Sequence, residues 1–269
     1  MIGRKDPQGP VTEYFQKDAA FWESMYDQDD VFSVIHRDRA LRAIQQVGRL
    51  PLIFGSRALE VGCGAGLVAV RLAERGYVVE ATDSTPAMVE ATARNAERAG
   101  VTARLHTALA DAHALEYPGG SFDLVIALGV LPWLHNPKQA LGEMARVLRP
   151  GGYLVANVDN RARLTHLLDP LFNPMLQPLR RAVGKGRRPA AATTLVWARE
   201  FDRQLAAAGL RKEKGLTFGF GPFTFMGRHT VRGRAAVALH TGLQQLADER
   251  LPVLRSTGTQ YLVVARKGR

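Results

Sequence analysis

The chain has a single cysteine, Cys63, so no disulfide can form within it. One thiol fits a reducing compartment. Long apolar runs are also missing. None approaches the roughly 18 residues that a membrane-crossing helix needs. There is no internal repeat and no low-complexity tract. Met1–Pro10 is polar, carries proline and glycine, and has no apolar segment of the secretory kind. A cytoplasmic, soluble protein is therefore expected, with peripheral membrane contact open. Acidic residues are the minority, 25 against 36 lysines and arginines, for a net charge of +11. That excess favours anionic partners such as nucleic acid, an acidic membrane surface or an anionic substrate. The basic residues are scattered, and the ordinary reading of such a pattern is a solvated basic face. With 46% hydrophobic and 23% charged residues, the composition excludes a disordered chain and a collagen-like repeat. The 269 residues suffice for one large domain, or one domain with an insertion.

Residues 11–47 read as helical, with Tyr14, Phe15, Phe21, Trp22 and Tyr26 spaced among charges. From residue 57 the pattern alternates. Arg57–Val61 is a short apolar strand, and Leu67–Arg75 a helix stopped by Gly76. Tyr77–Thr82 is a second strand ending at Asp83, and Pro86–Ala99 a helix with proline in its first turn and Gly100 beyond its end. Strands follow at Val101–Thr107, Phe122–Leu128 and Tyr153–Val158, with a helix over Lys138–Leu148. This rhythm predicts a parallel sheet with crossover helices, buried on both faces. Residues 160–192 break it: Pro170, Pro174 and Pro178 interrupt an apolar row, which favours short helical fragments. Arg180, Arg181, Lys185, Arg187 and Arg188 follow. A helix over Thr194–Leu210, an aromatic strand over Phe218–Phe225, a helix over Val237–Ala247 and a strand over Gln260–Ala265 complete the reading, the last two strands pairing antiparallel as an edge hairpin.

Gly62, Gly64 and Gly66 stand between the first strand and the following helix. Glycines there let backbone approach a ligand, and the helix end offers free N–H groups. Asp83, at the end of the next strand, lies where a carboxylate grips ribose hydroxyls. A dinucleotide fingerprint needs a third glycine where Leu67 stands, and no phosphate-loop lysine follows Gly66. Taken alone, the loop is equally a tight strand-to-helix turn.

Five ordered segments carry a more specific signal. Leu59-Glu-Val-Gly-Cys-Gly-Ala-Gly66, Asp83-Ser84, Ala110-Asp111-Ala112, Phe122-Asp-Leu-Val-Ile126 and Glu143-Met-Ala-Arg-Val-Leu-Arg-Pro-Gly-Gly-Tyr153 resemble the class I S-adenosylmethionine-dependent methyltransferases over about residues 55–160. The resemblance implies that Gly62, Cys63, Gly64 and Gly66 contact the amino-acid part of S-adenosylmethionine, with Glu60 orienting the loop. Asp83 would bind the ribose, Ser84 and Met88 would flank the adenosine, and Asp111 with Ala112 would read the adenine. Ala127 and Leu128 would line the methionine end. Within this loop Cys63 reads as a packed small side chain rather than a nucleophile. No metal is implied.

The acceptor side is less defined. Members of the family often place a histidine after the fourth strand; here Trp133 takes that place, either stacking on an acceptor or packing the loop. Candidate bases are His135, His36 and Tyr14, with Tyr26 closing over the cofactor. Asp159, Asn160 and Arg161 follow the fifth strand as substrate contacts or loop caps, and Phe223 with its aromatic neighbours walls an apolar pocket or a sheet face. The stretch Ala127-Leu-Gly-Val-Leu-Pro-Trp133 lacks the Asn/Asp-Pro-Pro-aromatic motif of enzymes that methylate adenine or glutamine nitrogen. The proline-spaced row and basic cluster over 165–190 resemble the membrane-contacting insertion of quinone O-methyltransferases, or form a lid.

The reading is thus an α/β protein: a doubly wound, Rossmann-like, mostly parallel sheet with helices on both faces and an antiparallel C-terminal edge hairpin. Residues 1–50 are a helical cover, 51–160 the cofactor core, 161–235 an inserted lid with substrate-side elements, and 236–269 the completion of the sheet. The expected activity is methyl transfer to a small, largely apolar or lipid-like acceptor, oxygen favoured over nitrogen. RNA methylation and a non-catalytic cofactor-binding scaffold are the alternatives; nucleic acid is the less favoured partner.

Overall fold

The N-terminal cover breaks where its sequence supplies caps. In the computed structural model, which describes residues 8–176, 193–249 and 251–268, the expected helical stretch is three helices: α1 (Gly9–Lys17), α2 (Ala19–Ser24) and α3 (Val31–Val47). Tyr26 lies in the 3₁₀ turn Met25–Asp27 that joins α2 toward α3. Asp30 starts α3 by accepting from the Phe32 and Ser33 N–H groups, satisfying donors that the first turn leaves open.

The core then alternates as β1 (Arg57–Val61), α4 (Leu67–Glu74), β2 (Val78–Asp83), α5 (Pro86–Arg98), β3 (Leu105–Leu109), β4 (Phe122–Ala127), α6 (Pro137–Val147) and β5 (Leu148–Asn160). β3 starts four residues later than the sequence suggests. Gly100 donates to Glu97 O and Val101 to Ala96 O, so these residues close α5 in a left-handed cap instead of entering the sheet. After β5 come α7 (Leu164–Leu168), β6 (Leu195–Val196), α8 (Ala198–Ala207), β7 (Leu210–Phe218), the small hairpin β8 (Thr224–Phe225) and β9 (Arg228–His229), α9 (Gly233–Asp248), α10 (Pro252–Ser256) and β10 (Gln260–Lys267).

The main sheet runs β3-β2-β1-β4-β5-β10-β7, with β6 paired to the end of β5. β1 to β5 are parallel, and β10 is antiparallel to both β5 and β7. The antiparallel C-terminal pair is therefore present, with β7 at the edge and β10 inside it. The aromatic strand expected over Phe218–Phe225 is corrected. Phe218 ends β7, and Gly219 and Gly221 hold positive φ angles of 79° and 127°, which break the ladder. Phe220 is buried in the loop that follows.

Alternating side chains fill both faces. Leu124, Ile126, Val155 and Leu262 pack against α3 and α4; Val125, Ala127, Leu154 and Val263 pack against α6 and α8. This matches the continuous apolar strands. Arg180, Arg181, Lys185, Arg187, Arg188, Pro178 and Leu179 lie outside the described residues. Among the described residues no helix is long and apolar enough to cross a membrane.

Candidate functional site

Parallel strands deliver their carboxyl ends to one edge, and the crevice there is where such sheets bind ligands. β1 ends in the turn 62–66. Gly62 and Cys63 donate to Thr82 O, which ties the turn to β2. Gly62, Gly64 and Gly66 have φ of 70°, 55° and 80°, a region that other residues enter only with strain. Gly64 donates to Asp83 Oδ2 and Thr85 to Asp83 Oδ1, both at 3.0 Å. Asp83 is thus a brace for the glycine turn as well as a group facing the cavity. Burial raises its pKa, and these N–H groups oppose the rise. Cys63 lies 3.3 Å from Thr92 Oγ1, and burial pushes its thiol well up, which makes it an unreactive packed group.

A cavity of about 320 Å³ opens over this turn. Of the residues singled out in the sequence, it brings together Glu60, Gly62, Cys63, Gly64, Asp83, Ser84, Met88, Asp111, Ala112, Leu128, His36, Trp133 and Asp159. The others lie off its lining. Gly66 caps α4, and Ala127 is buried in the sheet. Tyr14 stacks on Trp133 from outside, with centroids 5.7 Å apart. His135 packs its ring 4.0 Å from that of His113 and donates its Nδ1–H to Gln8 Oε1. Asn160 donates to Ser256 O and Gly258 O, which makes it a loop fastener. Arg161 lies over the Trp197 ring, and Phe223 packs on Val31, Ile35 and Ala236.

Several lining residues were not anticipated: Phe15, Trp22, Phe32, Arg39, Val130 and Arg163. Arg39 follows His36 by three positions on α3, a spacing that puts both on one helix face; that was the available signal. Among the described residues no hydrogen bond or ion pair at 4 Å or less holds its guanidinium, which packs against Gly129 and acts on Glu60 through space. His36 is neutral: burial, then the Arg39 cation, push its pKa to about 3, and its Nδ1–H donates to Phe32 O. It offers Nε2 as an acceptor and is a weak base.

Glu60 is the most perturbed carboxyl. Burial raises it to about 8, Asp83 adds to the rise, and the Ala69 N–H and Arg39 oppose it. Its Oε2 is buried without a hydrogen-bond partner among the described residues. Between its ordinary pKa of 4.5 and about 8, the folded state holds this proton more tightly than the unfolded state. Stability contributed by the protonated group is therefore lost as pH rises across that window. Glu60→Gln should flatten the fall in melting temperature between pH 5 and 8 in scanning calorimetry. A slope as steep as that of the wild type would show that other groups set it.

Residues 59–156 match the family model of a methyltransferase domain. This stretch carries the pattern of a methyltransferase domain. Two curated relatives are methyltransferases by name. The ubiquinone biosynthesis O-methyltransferase of Pectobacterium carotovorum is 28% identical over 147 residues, 55% of this chain and 60% of that protein. The 27-O-demethylrifamycin SV methyltransferase of Amycolatopsis mediterranei is 35% identical over 173 residues, 62% of this chain and 58% of that protein. This chain thus spans about three fifths of the length of these relatives. In overall shape the methyltransferase domain and its additions resemble magnesium protoporphyrin IX methyltransferase from Synechocystis, with a TM-score of 0.66 at 14% identity and full coverage of both chains. The methyltransferase domain accounts for the glycine turn, Asp83 and Asp111. The aromatic walls and Arg163 come mainly from segments outside the match. Among the described residues no group of three or more His, Cys, Asp or Glu is placed to hold a metal ion.

Proposed function

We propose that this protein is an S-adenosylmethionine-dependent methyltransferase that modifies a small, largely apolar or lipid-like acceptor, at oxygen in preference to nitrogen. One observation carries the cofactor reading. At one end of the cavity Glu60 Oε2 and the Arg39 guanidinium, the one without a hydrogen bond and the other without an ion pair among the described residues, flank an open glycine turn. A zwitterionic amino acid supplies the complement to both: an ammonium for Glu60 and a carboxylate for Arg39. A Cβ built at Gly64 meets nothing within 4 Å, so the turn leaves room for a ligand there. Asp83 then takes the ribose hydroxyls and Asp111 the adenine. Asp111 is fixed by the His113 N–H at 2.9 Å. Burial opposes its anion, but the His113 contacts outweigh it and hold the carboxyl below its usual value.

S-adenosylmethionine supplies a methyl group activated on a sulfonium. The chain's part is proximity, alignment and exclusion of water. Phe15, Trp22, Phe32 and Trp133 form an aromatic wall, with Phe15 and Trp133 edge-to-face at 5.3 Å. Gln8 fastens this cover by donating to Trp133 O and accepting from the His135 N–H. Residues 161–235 serve as the acceptor-side segment, since Arg163, Thr193, Gly221 and Pro222 reach the cavity from it. The exposed Leu168 and Met175 in the same segment support a lipid-like acceptor or surface.

Calorimetric titration with S-adenosylmethionine, S-adenosylhomocysteine and NAD tests the reading. The first two should bind and NAD should not; binding of NAD alone would overturn it. Arg39→Ala should weaken S-adenosylhomocysteine about tenfold, the worth of a charged hydrogen bond. It should leave 5′-methylthioadenosine, which lacks the carboxylate, unaffected. Equal losses for both ligands would remove Arg39 from the carboxylate site.

A further inference from the structure

The end of the cavity away from the glycine turn has its own unfilled chemistry. Asp83 closes β2 and Asp159 lies near the end of β5, with β1 and β4 between them. Three strand spacings separate them, about 14 Å. At the Asp159 end, Arg163 follows β5 and lines the cavity with Thr193 and Gln260. Its side chain is only 15% exposed. Nε donates to Asn160 O at 3.2 Å, while Nη2 is buried with no hydrogen-bond partner among the described residues. Asp159 Oδ2 lies 3.6 Å from Nη2, within ion-pair reach but too far for a hydrogen bond. That oxygen already accepts from the Thr193 hydroxyl at 2.6 Å. A guanidinium has five N–H donors in a planar fork suited to paired oxygens. Here it is largely withdrawn from water with the Nη2 donors unused, a costly state that a ligand would relieve. Trp22, in the aromatic wall of the same cavity, has a buried indole N–H that also lacks a partner among the described residues. Both unfilled groups are donors, so the fitting molecule brings acceptors. An ammonium group would instead meet the Arg163 cation and be repelled.

We propose that Arg163 anchors an oxyanion on the methyl acceptor, a carboxylate or ionised hydroxyl carried by a planar apolar ring system, with Asp159 and Thr193 orienting the guanidinium. This rests on reading the cavity as a methyltransferase site and specifies its substrate class. Asp159 balances the charge of the guanidinium, and the ligand completes the hydrogen bonds. The flat aromatic walls account for the ring, and Arg163 for its polar end.

The test uses the full chain saturated with S-adenosylhomocysteine and titrated calorimetrically with benzoate, 2-naphthoate and anthraquinone-2-carboxylate, each beside its neutral carboxamide. At least one carboxylate should bind about tenfold tighter than its carboxamide, the difference a charge-assisted pair makes. Arg163→Gln should erase that gap, and Arg163→Lys should keep part of it. Neither should change S-adenosylhomocysteine affinity by more than about twofold, well under the worth of one hydrogen bond, which also checks folding. Equal binding of acid and amide, binding of no probe, or a gap that survives Arg163→Gln would overturn the proposal. If S-adenosylhomocysteine itself fails to bind, the methyltransferase reading falls; the acid–amide comparison on the unloaded chain still decides Arg163.

Discussion

Gly62→Ala should cost the fold about 2–5 kcal/mol, whereas Gly64→Ala should cost it only the backbone part, about 1–2 kcal/mol, and damage ligand binding. Both residues have left-handed φ, at 70° and 55°, so either alanine carries about 1–2 kcal/mol of backbone strain. The surroundings then separate them. A Cβ on Gly62 would stand 2.3 Å from Val130 Cγ2, a distance no real contact sustains. Forcing it adds about 1–3 kcal/mol of overpacking. A Cβ on Gly64 meets no atom within 4 Å, because that side of the turn borders the cavity. Its methyl group would occupy ligand space and weaken S-adenosylhomocysteine roughly tenfold or more, by the same overpacking scale. Urea denaturation and calorimetric titration measure the two effects separately. Adding Val130→Ala to Gly62→Ala should recover the steric part of the loss and leave the backbone part. A Gly64→Ala protein that binds S-adenosylhomocysteine as the wild type does would place the ligand elsewhere.

Asp83→Ala should weaken S-adenosylhomocysteine by about 1.5–3 kcal/mol, the range for charged hydrogen bonds. That is roughly ten- to more than a hundredfold in Kd. Two losses combine. The ribose hydroxyls lose their acceptor, and the Gly64 and Thr85 N–H groups lose the carboxylate that holds the turn in shape. Asp83→Asn retains one oxygen of similar shape and should fall between wild type and alanine. A ligand analogue lacking both ribose hydroxyls apportions the loss. It should bind Asp83→Ala with a smaller deficit, equal to the part that comes from the disordered turn. Unchanged affinity for S-adenosylhomocysteine in Asp83→Ala would take the residue out of the binding site.

The two halves of the cavity differ in how far they can be read along the chain. The glycine turn, Asp83 and Asp111 each belong to a strand end followed by its own turn or cap, and the sheet order needs only short right-handed crossovers to bring them together. Local signals such as Pro86, Gly100 and Asn136–Pro137 place α5 and α6 to within a few residues. Such marks act through neighbouring backbone groups, so they survive in one dimension.

The acceptor end has no such marks. Trp22 and Phe32 come from the N-terminal cover, Trp133 from the loop after β4, Arg163 from the turn after β5 and Thr193 from beyond α7. Their meeting depends on how the cover lies over the sheet, which no sequence period encodes. Tyr14 and His135 show the reverse case. Both sit beside lining residues, yet Tyr14 backs Trp133 from outside and His135 packs on His113, so neither lines the cavity. Placement of β10 between β5 and β7 was likewise invisible, because a strand's pattern reports which faces are buried and not which neighbours it takes. Alternation, caps and glycine conformation are local, and they specified the fold class and the turn that faces the cavity. The protonation of Glu60, the isolation of Arg39 and the unfilled donors of Arg163 arise from desolvation and from distances between remote segments, which come into being only when the chain is packed.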